Sequence, residues 1–175
     1  MVKWQPKFTR GISQLIPNKT PSLAAILAIA LIPTSLHASC ALDKLSLRGT
    51  FGHIDFSVEI ADTPDTRATG LMHRENLGQL ESMLFIYERP QRVAFWMRNT
   101  LIPLDMLFID PDGTIAQIHE NAIPHDETAI PGGEGRLAVL EINGGLSAQL
   151  GITPGSVIRH PKMPQDIAIW PCEAS

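Results

Sequence analysis

The chain has 175 residues, of which 44% are hydrophobic and 18% charged, a balance that excludes intrinsic disorder and fits one globular domain behind a short N-terminal segment. Lys3, Lys7, Arg10 and Lys19 precede every acid, so residues 39–175 hold ten basic and eighteen acidic side chains, a net charge of −8. That surplus argues against a nucleic-acid partner: neutralising phosphates needs a clustered basic face, and an acidic field repels a polyanion.

In chain order, the basic N-terminal stretch leads into Leu23–Ile32, an uninterrupted apolar run closed by Pro33. A charged region followed by a short apolar core is the pattern of a secretory signal peptide, and the run is too short for the about 20 residues a membrane span requires. Residues 1–38 are therefore expected to be removed after Ala38, leaving no stable membrane span and a periplasmic or secreted domain from 39 to 175. Cleavage after Ala41 is the alternative and would remove Cys40. A lipoprotein with an acylated Cys40 fits less well, because His37 stands where an aliphatic residue is wanted. Cys40 and Cys172, the two cysteines, stand near the ends of the mature chain in an oxidising compartment, and a disulfide joining them is expected.

From Leu45 the pattern alternates: Leu45, Leu47 and Phe51, then, after Gly52-His53, Ile54, Phe56, Val58 and Ile60. This predicts a β-hairpin. Thr63 to Leu80 changes period, with Thr63 or Asp65 as N-cap and Pro64 as first helical residue, and reads as one or two short helices broken at Gly70 and Gly78. Strands follow at Met83–Tyr87 and Val93–Met97, and Leu104–Ile109 turns through Asp110-Pro111-Asp112-Gly113 into Thr114–Ile118. Asn121–Arg136, with two prolines and three glycines, reads as a mobile surface loop. Leu137–Ile142 is a strand, Leu146–Leu150 a brief helix and Ser156–His160 a last strand. About eight short strands and two short helices predict a mainly β domain, a mostly antiparallel barrel or sandwich.

Gly145-Leu146-Ser147-Ala148-Gln149 starts like a nucleophile elbow but ends in Gln where Gly is required. His119, Glu120, His125, Asp126 and Glu127 lack the helical spacing of a metal site and read as a solvated acidic loop. Met72, Met83, Met97 and Met106 raise a copper reading, but each stands in a hydrophobic run where Met fills the core. No cofactor and no metal is expected.

The informative segment runs from Phe95 to Asp105. Alternation along Leu104–Ile109 puts Asp105 on the face of Leu107 and Ile109, and the same arithmetic puts Glu141 with Leu137 and Val139. A carboxylate on an apolar face is costly unless paired or hydrogen-bonded, and Arg67, Arg74, Arg98 and Asn99 are the partners nearest in character. The functional reading is a pocket of Arg67, Trp96, Arg98, Asn99, Asp105 and Glu141, with Trp96 as apolar wall or stacking platform. The structural reading is a network that fixes a turn.

Arg67, Gly70-Leu71-Met72, Arg74, Met83-Leu84-Phe85, Phe95-Trp96-Met97-Arg98-Asn99-Thr100, Pro103-Leu104-Asp105, Phe108, Leu140-Glu141, Gly144-Gly145 and Gly155 together resemble the family called domain of unknown function 192, over about residues 45–160. The resemblance implies a small, often exported, β-rich barrel-like domain with no assigned role and no catalytic residues. This chain departs from the family pattern at Ser82, commonly Gly, and at Ile130–Gly135, commonly richer in aromatic and Ser residues. Three readings follow: a binding or accessory module for a small molecule or an envelope protein, a cell-envelope hydrolase using Asp105 and Glu141 as acid and base, and a purely structural protein.

Overall fold

The computed structural model describes residues 40–172; the segment read as a signal peptide lies outside them. Strands β1 (Lys44–Gly49) and β2 (Gly52–Ala61) form the expected hairpin, Leu45 opposite Phe56 and Leu47 opposite Ile54. Helix α1 (Pro64–Thr69) starts where its residues dictate: the Thr63 side chain accepts from the Thr66 N–H, Thr66 reciprocates on the Thr63 N–H, and Pro64 occupies the first turn. The helix is a crossover, so β3 (Glu81–Phe95) runs parallel to β2 in a sheet otherwise antiparallel. Then come β4 (Leu104–Ile109), β5 (Ile115–Ala122), β6 (Ile130–Asn143), α2 (Leu146–Leu150) and β7 (Val157–Arg159).

The seven strands form one sheet in the order β5-β4-β6-β3-β2-β1-β7. The sheet curls into a half-barrel, and its two edges touch: Thr114 bridges Val157, Ile115 N–H donates to the Ser156 carbonyl and Ile158 N–H to the Gly113 carbonyl. Curling gives the central strands two buried faces. One carries Leu45, Leu47, Phe56, Leu84, Leu107 and Ile142; the other carries Met83, Phe85, Met97, Met106, Phe108 and Val139.

Two expectations are corrected. The strands read at Met83–Tyr87 and Val93–Met97 are one strand, β3, with register shifts between Ile86 and Ala94 that accommodate Pro90 and the charged run, so seven strands replace eight. The second half of the expected loop, Ile130–Arg136, is strand, because it pairs with Gln91–Phe95. Gly132 permits this, since a Cβ there would collide with the Phe108 ring and with Val93.

The Cys40–Cys172 disulfide is formed, joining residues 132 apart in sequence, and three residues before Cys172 the Ile169 N–H donates to the Asp112 carbonyl. The guanidinium groups of Arg48 and Arg159 both lie over the Trp170 ring, 4.5 and 4.4 Å from its centre. Closing so long a loop restricts the unfolded chain, so Cys172→Ser should lower stability by about 2–4 kcal/mol. Thermal melts of the variant beside the oxidised and reduced wild type check this: reduction should reproduce the variant, and coincident curves for all three would contradict it.

Candidate functional site

Asp105 and Glu141, the two acids on apolar strands, have opposite fates. The β4–β6 register sets Asp105 opposite Ile142 and Glu141 opposite Met106, so successive positions place the two carboxylates on opposite faces of the sheet. An acid and base acting together on one bond must share a cleft, and this pair does not. The hydrolase reading through Asp105 and Glu141 is thereby withdrawn.

Asp105 is fully buried, and its partners are three main-chain N–H groups and the Ser147 hydroxyl rather than arginine. Oδ1 accepts from the Asn121 and Gly145 N–H groups at 2.8 and 2.7 Å, and Oδ2 accepts from the Ser147 N–H and hydroxyl at 2.8 and 2.5 Å. One side chain thus ties the end of β5, the turn after β6 and the start of α2 to the middle of the sheet. Asn121 and Gly145 both have positive φ, 52° and 76°, which aims their N–H groups inward.

Glu141, on β6, has Met83 of β3 opposite it on one side and Met106 of β4 on the other, and it shares its face with Val139. Leu137, expected on that face, belongs instead to the other cluster, beyond the β3–β6 irregularity. Glu141 is 4% exposed. Burial pushes its carboxyl up to about 8, and no opposite charge or hydrogen bond among the described residues offsets that.

What remains accessible of Glu141 faces a cleft of about 110 Å³, whose walls include Arg67, Gly70, Met72, Tyr87 and Trp96. Trp96 is 47% exposed at the mouth, and the Arg98 guanidinium lies over its ring at 5.5 Å. Arg67 has three of its five N–H groups engaged: Nη1 donates to the Asp62 and Ile86 carbonyls, both at 2.8 Å, and Nη2 to Glu88 at 3.1 Å. Its guanidinium covers the Tyr87 ring at 5.0 Å. Burial raises the Tyr87 hydroxyl above its ordinary value; the Glu141 charge adds to this and the Arg67 charge opposes it.

Of the six sequence-derived positions, Arg67, Trp96 and Glu141 come together. Arg98 and Asn99 sit outside the walls, Arg98 on Trp96 and Asn99 in a turn at φ 53° whose carbonyl accepts from the His73 N–H. Asp105 is on the other face. Sequence reasoning did not single out Tyr87, although it is the only tyrosine in the chain; Met72, read from sequence as core filler, is half-buried and lines the cleft beside Gly70, and both carry part of the resemblance. Gly70 has φ 48°, and a Cβ there would come within 3.1 Å of the Phe85 ring. Among the described residues no group of three or more His, Cys, Asp and Glu side chains is gathered as for a metal, and no helix is long and apolar enough to cross a membrane.

A half-barrel with one small, aromatic-walled cleft against its sheet defines the class: a β-rich module with a single buried acid exposed to a cleft. The chain belongs to the DUF192 family, described as an uncharacterized ACR, whose model matches residues 47–160. No curated protein matches it. Among solved structures it is similar to a "putative transcription regulator" from Sinorhizobium meliloti 1021, 42% identical with a TM-score of 0.65 over 70% of this chain and 95% of that one. It is also similar to a protein of unknown function from Novosphingobium aromaticivorans DSM 12444, 42% identical with a TM-score of 0.66 over 81% and 99%.

Proposed function

We propose that the protein is an exported binding module that takes a small molecule in the cleft between Arg67, Trp96 and Glu141. The observation that carries this reading is Glu141: a fold that gives Asp105 four hydrogen bonds leaves a second buried carboxyl unpaired where a ligand can reach it. Buried polar groups without partners are few in native proteins and concentrate where something else supplies the partner. The cleft is smaller than the about 300–1,000 Å³ that holds drug-sized ligands, which suits a head group or a small metabolite. Export rests on the N-terminal signal pattern, and the disulfide between the chain ends is compatible with it. The acidic surplus of residues 39–175 speaks against a nucleic-acid partner for this chain.

Native mass spectrometry of the protein isolated from the envelope fraction tests this, with Trp96→Ala in parallel. The wild type should carry a low-mass adduct that the variant lacks, while the melting temperatures agree closely, since an exposed side chain contributes within about 0.5 kcal/mol. A bare wild-type mass, or an adduct that survives Trp96→Ala, would sink the reading.

A further inference from the structure

We propose that the ligand class of this cleft is a small organic ammonium, its cationic head group seated between the Glu141 carboxylate and the rings of Tyr87 and Trp96. This rests on the cleft being the binding site proposed above and adds what the site selects.

The argument starts from what the protein withholds. Glu141 faces three packed elements, and none supplies it a cation. On β3 Met83 is opposite it and Phe85 and Tyr87 share its cleft, on β4 Met106 is opposite it, and from α1 and the turn after it Arg67 and Gly70–Met72 line the same cleft. The titratable or charged members of that set are Tyr87 and Arg67. Arg67 spends its guanidinium on two carbonyls, Glu88 and the Tyr87 ring, so its charge is already matched. Once ionised, the acid is therefore one positive charge short inside its own cleft.

The walls also select among cations. A hard metal ion wants several oxygen ligands, and one carboxylate is all the acid this cleft contains. Aromatic faces and thioethers instead favour a cation whose charge is spread under an apolar skin, the chemistry by which alkylammonium groups are recognised. Phe85 and Phe95, edge to face with centroids 5.0 Å apart, extend the aromatic wall between Tyr87 and Trp96. The net charge of −8 over residues 39–175 draws cations toward the domain.

Choline is a suitable probe because its charge does not titrate, and dimethylbutanol is its uncharged carbon isostere. Isothermal titration of the purified protein should show choline binding, with dimethylbutanol at least about tenfold weaker. Because Glu141 must give up its proton to accept a cation, affinity for choline should rise about tenfold per pH unit from pH 6 toward 8 and then level, with release of about one proton at pH 7. Glu141→Gln should abolish the proton release and weaken binding at pH 8 by at least about tenfold.

Equal affinity for the neutral isostere, or a pH-independent choline affinity, overturns the ammonium assignment. The two layers fail separately. If choline leaves the Trp96 indole NMR signal unmoved while acetate or N-acetylglucosamine shifts it, the binding module stands and the ammonium class falls. If none of these probes shifts that signal, both fall.

Discussion

Replacing Asp105 by Ala should lower the stability of the domain by about 5 kcal/mol, since four donors, the two of Ser147 buried and those of Asn121 and Gly145 partly so, lose their shared acceptor at about 1–3 kcal/mol each and local relaxation recovers part of that. For a domain of this size the loss corresponds to a fall in melting temperature of roughly 15–20 °C. The effect is large because three of the donors are main-chain N–H groups at Asn121, Gly145 and Ser147, which no rotamer change can turn toward water. Ser147→Ala removes only the hydroxyl contact and should cost about 1 kcal/mol. Asp105→Asn should fall between, because its amide N–H₂ would face a donor in place of an acceptor. Urea unfolding of the three variants checks the ranking; a loss under about 1 kcal/mol for Asp105→Ala would mean that the carboxylate does not hold these turns. Below its melting temperature Asp105→Ala should still bind whatever the cleft binds, because Asp105 lies on the opposite face.

Glu141 should impose the reverse kind of dependence, one on pH. In the unfolded chain its carboxyl titrates at the ordinary value of 4.5, in the folded protein at about 8. Between those values the folded state holds a proton that the unfolded state has released, so stability falls as pH rises, by at most about 1.4 kcal/mol per unit, and is flat on either side of the window. Glu141→Gln keeps the shape and removes the titration. Variant and wild type should therefore be similar at pH 4 and diverge steadily, with the variant the more stable by several kcal/mol at pH 9. Comparing the two isolates the term from carboxylates such as Glu59, held below its usual range by Arg74, and Asp55, held low by Ser46 and His53, which weaken the fold toward acid instead. A difference curve that stays level from pH 5 to 8 would show that Glu141 is not desolvated.

How much of this was legible in the residues follows from which forces are local. Alternation delivers the β1–β2 hairpin and places β4 at Leu104–Ile109, and two glycines bracket Leu146–Leu150 as α2, because side-chain period and turn chemistry act within a few residues. Ile130–Arg136 reads as loop because its Pro and Gly content favours one, and it becomes strand only through pairing with Gln91–Phe95 across the sheet. The burial of Asp105 and Glu141 was readable from their apolar neighbours. Their partners were not: arginines were the natural candidates for Asp105, whereas main-chain N–H groups satisfy it, and those are invisible to a survey of side-chain types. That Glu141 sits between Met83 and Met106 and away from Asp105 is a matter of register, which the folded sheet sets.

The sheet order also governs the sequence of events by which the fold is reached. β6 supplies the contact between β3 and β4, and β7 pairs with β1, more than a hundred residues upstream, and touches the start of β5 through Thr114 and Gly113. A chain emerging from its N-terminus can therefore close the β1–β2 hairpin early, but the middle of the sheet must wait for Ile142 and its far edge for Val157–Arg159. Most stabilising pairings span long stretches of chain, which places this domain among slow folders, with rates in the millisecond-to-second range rather than microseconds. An incomplete chain should thus remain open until β7 is available, and the Cys40–Cys172 bond waits for a cysteine that follows all seven strands in the chain.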